Sequence, residues 1–92
     1  MSEKKLLVLA RRDHAEAMRV AAGLTIFGHQ VGLVFMTGPV AETPENAANA
    51  ELLDLTGIEP QTTVTEMAGD LPRLDVPALA LAMTSADIVI SL

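Results

Sequence analysis

The 92-residue chain has no cysteine, tryptophan or tyrosine, and only two phenylalanines. Without cysteine there are no disulfides, no thiolate metal sites and no thiol nucleophile. Basic residues are also scarce: six Lys and Arg stand against twelve Asp and Glu, a net charge of −6. This balance argues against nucleic acid, where phosphate neutralisation dominates affinity. The acidity is scattered, which is the pattern of a solvated, solubilising surface. Long hydrophobic runs are missing too. The basic start "MSEKKLLVLARRD" carries an apolar run of only five or six residues, too short for a signal peptide. Nothing approaches the roughly 20 apolar residues of a membrane span. The expectation is a cytoplasmic protein with no membrane or nucleic-acid partner, no metal and no cofactor.

What is abundant is aliphatic: half of the residues are hydrophobic, much of that Ala, Leu and Val. The length fits one domain, residues 1–92, with a radius of gyration of roughly 12 Å. A domain this small buries only about 60–65% of its unfolded surface. So many aliphatic residues on so small a body predict that the core continues across a subunit interface, hence an oligomer.

Residues 6–10 form a short apolar run, as in a strand covered on both faces. Asp13 followed by Glu16 is a capping-box pattern. Ala15, Met18, Ala22 and Ile26, with Ala21 and Thr25, recur at helical spacing up to Gly28, predicting a helix over residues 13–27. A second apolar strand spans 31–37. Thr43-Pro44 starts a helix whose stripe is Ala47, Ala48, Leu52 and Leu55, closed by Gly57. "PQTTVTEM" is a polar, Thr-rich third strand. Residues 71–74 read as a strand stub that Pro72 confines to an edge. Asp75 caps a helix over 76–84, and residues 86–92 form a last apolar strand. Met36, Met67 and Met83 read as core filler.

Alternating strands and helices define an α/β fold with a parallel sheet. Ligands of such sheets sit outside the carboxyl ends of the strands, where strand order reverses. With the first strand central, that place is occupied by Arg11, Arg12, Asp13 and His14, and Thr37 lies on the same edge. The cluster has no glycine for a phosphate loop, and Asp13 covers the helix amides that a phosphate would use, so a nucleotide site is improbable. It offers arginines where a phospho-acceptor domain needs carboxylates. His14 and His29 sit at opposite ends of one helix and cannot share a metal. His29 reads as a capping or surface residue. His14 is a candidate base, although Asp13, its neighbour in sequence, does not face it on a helix. Arg11 and Arg12 either bind an anion or neutralise a carboxylate, namely Asp13, Glu16 or the terminal group at Leu92. The two readings stand level.

The pieces "KKLLVLA", the helix over residues 15–27, "GHQVGLVFM", "LLDLTGIEP" and "SADIVISL" occur in an order that resembles the DsrE/DsrF/DsrH family, which includes the TusBCD sulfur-relay subunits. The resemblance spans nearly the whole chain through patterns, without a diagnostic motif. It implies a three-layer α/β/α sandwich with a mainly parallel sheet of four to five strands, assembled into trimers, hexamers or hetero-hexamers. Active members carry a persulfide on a cysteine just after the third strand. Here that region, "TTVTEMAGDL", offers Thr63, Thr65 and Glu66 and no thiol, and it is short for the family's helix.

Two functional expectations follow. One is a non-catalytic DsrE-like protein, an oligomeric assembly subunit or small-ligand binder linked to sulfur metabolism. It includes the case of a domain that has lost activity and persists as a scaffold. The other is a small enzyme acting on an anionic substrate at the carboxyl edge of the first strand through Arg11, Arg12 and His14. The ligand-binding candidates are Arg11, Arg12, His14 and Thr37.

Overall fold

The apolar run after Lys5 becomes an inner strand of a four-stranded, all-parallel sheet. A computed structural model describes residues 4–38, 40–67, 69 and 71–92. Its strands are β1 (Lys5–Ala10), β2 (Gln30–Phe35), β3 (Gln61–Thr62) and β4 (Ile88–Ser91). Three helices connect them: α1 (His14–Ile26), α2 (Pro44–Thr56) and α3 (Val76–Ser85). The order across the sheet is β3-β2-β1-β4. β1 is paired on both sides, Leu6 standing opposite both Val31 and Ile88, and Val8 opposite Leu33 and Ile90. The radius of gyration is 12.4 Å, as the length requires.

The period-two alternation of β1 and β2 divides the core between the two faces. Val8, Ala10, Leu33 and Phe35 meet Ala17, Met18, Ala21 and Ala22 of α1 and Leu53 of α2. Leu7, Leu9 and Val34 meet Leu79 and Ala82 of α3 and Leu74 before it. Helices thus cover both faces. The small side chains of α1 let it lie close to the sheet. At Gly32 the backbone itself comes close: an added Cβ would stand 3.2 Å from Leu7 Cδ1.

Local chemistry sets the helix ends. Asp13, Thr43 and Asp75 each accept the backbone N–H three residues on, leaving Pro44 and Pro77 in first turns where no N–H is needed. Gly57 closes α2 at φ +79°, a left-handed conformation that side chains avoid. The cap of α1 is Phe27, with Gly28 one residue beyond it at φ +94°.

Several sequence expectations need correction. The predicted third strand shrinks to two residues, after which a 3-10 turn, Thr65–Met67, takes over. Thr62 explains the change: it is fully buried, and its hydroxyl donates to the Phe35 carbonyl and accepts from the Val64 amide, bending the chain away. Residues 72–74 then pair along its outer side. Thr62 N–H donates to the Pro72 carbonyl, Leu74 N–H donates to Thr62, and a parallel bridge joins Thr62 to Arg73. The α2 stripe is also displaced. Leu53 is the buried residue, Asn46, Asn49 and Leu52 are half-buried, and Ala47, Ala48 and Leu55 face out. Ile26 and Met83, read as interior, are exposed as well.

Thr62→Val keeps the shape but removes both hydroxyl bonds, stranding a buried amide. The expected loss is about 1–3 kcal/mol of stability in urea unfolding. An unchanged midpoint would contradict the role given to this hydroxyl.

Candidate functional site at the carboxyl edge

The loops after β1 and β2 meet the end of β4 at Leu92. β1 and β4 are neighbours on the side where strand order reverses, so the sequence-derived cluster does lie at the switch point of the sheet. The backbone ties these loops together. Ala10 C=O accepts from Met36 N–H at 2.9 Å, and the Leu92 carbonyl accepts from Arg12 N–H at 2.9 Å and Asp13 N–H at 3.2 Å.

Asp13 fills half of the expected capping box. Its Oδ1 accepts from Glu16 N–H at 3.0 Å. The return bond is not made by Glu16, whose carboxylate pairs with Arg19. The carbonyl of Leu92 takes that place on the Asp13 amide, so the end of β4 helps to cap α1.

His14 is half-buried on the first turn of α1. Its Nε2 lies 3.1 Å from the Met36 carbonyl oxygen. A carbonyl only accepts, so Nε2 carries the proton and donates, leaving Nδ1 as the basic nitrogen. The ring meets Phe35 edge-on, with centroids 5.6 Å apart and planes at 83°. His14 is therefore held by the end of β2. Thr37 is tied in the same way: its hydroxyl donates to the Arg11 carbonyl at 2.7 Å. It has φ +81°, the one positive φ among the described non-glycine residues, and a β-branched residue in that region is strained.

The arginines differ from their neighbours. Both are exposed, and among the described residues neither forms an ion pair with Asp13, Glu16 or any other carboxylate. The edge thus brings together the backbone of all four candidates but commits only His14 and Thr37 to structural bonds. His29, at the other end of α1, accepts from Lys4 N–H through Nδ1 at 3.3 Å, in line with a structural role. No trio of His, Asp and Glu among the described residues is grouped to hold a metal. None of the described helices is long and apolar enough to cross a membrane.

The positions that follow β3 share this edge. Thr63 N–H donates to the Phe35 carbonyl, and Thr65 and Glu66 begin the 3-10 turn, where the sequence predicts a continuation of the third strand. Residues 68 and 70 of that segment lie outside the described residues.

Sequence reading missed two asparagines. Asn49 Nδ2 donates to the Ala15 carbonyl at 3.3 Å, linking α2 to the first turn of α1. Asn46 Nδ2 donates to the Ala41 carbonyl at 2.8 Å. The available signal was their spacing: two residues of low helix propensity, three apart, inside a helix otherwise rich in alanine.

Comparison of the chain with protein-family models, curated proteins and solved structures returns no match.

Asp13→Ala removes the side-chain cap and leaves the Leu92 bond in place. Thermal unfolding should show a loss of about 1 kcal/mol with the helix content of the native state unchanged. No change at all would mean that the Leu92 carbonyl alone caps the helix.

Proposed function

We propose that the protein is a non-catalytic, DsrE-like assembly subunit that associates with copies of itself, in the cytoplasmic, sulfur-metabolic setting implied by the family resemblance. The observation that carries this reading is the flank made by α3 and β4. Val76 is 81% exposed, Leu81 68%, Ile88 43% and Val89 37%. No residue of α3 is buried. β4 is an edge strand whose sequence, "IVIS", has no Lys, no Pro and no charge to discourage pairing. Exposed apolar side chains beside an unpaired strand edge on a small domain mark an interface. The lack of any thiol removes persulfide chemistry, and the commitment of His14 and Thr37 to backbone carbonyls leaves scaffolding as the better-supported role.

A second reading keeps the arginine edge as a site for an anion, or for an anionic substrate. It is supported by the exposure of Arg11 and Arg12 without ion pairs among the described residues, beside a strained Thr37. His14 has a place in it only through Nδ1.

Light scattering at micromolar concentration should give a mass of at least two chains, and Val89→Lys should shift it to the monomer without loss of secondary structure. A monomeric parent protein contradicts the assembly reading. For the edge, titration with sulfate should perturb the amides of residues 11–14, and Arg11→Ala with Arg12→Ala should abolish that effect. An exposed ion pair is worth only about 0–1 kcal/mol, so stability should barely move. If the double variant instead dissociates, the arginines belong to the interface.

A further inference from the structure

A cavity of about 480 Å³ lies alongside α2 at the β3 margin of the sheet, with Phe35, the ring that His14 packs against, as part of its wall. Its walls include Met18, Phe35, Leu53, Ile58, Met67 and Leu71, drawn from α1, β2, α2 and the segments flanking β3. This size and this apolar lining are those of a small-molecule site. The polar groups are few, and the charged ones among the described residues are all acidic. Glu51 and Asp54, three residues apart and so on one face of α2, stand at the opening, both exposed. No Lys, Arg or His lines it among the described residues. Asn46 forms part of the wall. Its Nδ2 is held by Ala41, which fixes the amide, while its Oδ1 is buried with no hydrogen-bond partner among the described residues.

We infer that this cavity binds a small organic cation with an apolar body, of which a primary alkylammonium is the simplest case. The alkyl body displaces water from the methionine, leucine and phenylalanine walls. The ammonium remains at the mouth, between the carboxylates of Glu51 and Asp54. A carboxylate-bearing ligand of the same length meets the same two charges with the opposite sign and is rejected. This site is independent of self-association, because it lies on α2 and the β3 side of the sheet, whereas the proposed interface is α3 and β4.

The test uses n-hexylammonium, hexanoate and hexanol as probes of the whole chain by NMR, following the methyl groups of Met18 and Met67 and the amides of α2. Hexylammonium should produce saturable shifts confined to the cavity lining, and hexanoate should bind at least about tenfold more weakly. Hexanol should fall between them. Ala50→Phe, at an exposed position on the lining, should fill the cavity and abolish the shifts while the fold stays intact. Glu51→Gln with Asp54→Asn should keep binding but remove the preference for the cation. Equal binding of hexylammonium and hexanoate by the parent protein would overturn the inference. So would shifts that survive Ala50→Phe, a cation preference that survives loss of both carboxylates, or no response to hexylammonium at millimolar concentration.

Discussion

The fold depends on the burial of β1 on both faces and its pairing on both sides. Residues 6–10 are all nearly inaccessible, with Val8 and Ala10 fully so. A parallel strand in that position cannot be followed by more apolar residues once it passes the helix layers, so the chain turns polar at once, at Arg11. Its partners must be long crossovers, and α1 and α3 are those crossovers on opposite faces. Alanine at residues 17, 21 and 22 is the matching condition: a helix that lies close over β1 and β2 has no room for larger side chains there. Removing volume from this strand would leave a cavity that neither layer can fill by itself.

The same strand organises the carboxyl edge. Ala10 C=O receives the end of β2, and the amides just after it are received by Leu92 at the end of β4. The two loops and the end of β4 are thus fixed by main-chain bonds before any side chain acts. His14 and Thr37 add to this network by binding carbonyls of the neighbouring loop. What remains unattached among the described residues is positive charge at the carboxyl edge of an acidic protein's sheet. The densest charge cluster in the chain is therefore first a device for ending a buried strand and starting a helix. Only its two guanidinium groups are left over for a ligand.

Much of the fold was legible because its signals are strong and local. A continuous apolar run, an Asp or Thr three residues before an amide donor, Pro in a first turn and Gly after a last one each act within a few residues. The places where sequence reading erred are those where tertiary contacts decide. Thr62 looked like one more strand threonine, and only the Phe35 carbonyl above it makes its hydroxyl end the strand. On α2 the alanines looked inward-facing, but the buried side is set by Leu53 together with Asn46 and Asn49, whose amides are occupied by carbonyls at Ala41 and Ala15. Residues 86–92 read as an ordinary apolar strand, and the sequence alone carries no sign that Ile88 and Val89 sit at an open edge. For the candidate site, position was readable from topology, whereas the engagement of His14 with Met36 depends on the loop after β2.

The contrast between the two ends of the sheet links fold to function. At the β3 end the chain closes its own edge, with residues 72–74 laid along Thr62. At the β4 end the apolar side chains and the outer backbone groups of the strand are left open. The most direct measurement of the account is hydrogen exchange at the β4 amides that do not bond to β1, followed from low micromolar to millimolar protein. Protection that rises with concentration, and disappears in Val89→Lys, is the predicted result. Exchange rates that are the same at every concentration would contradict it.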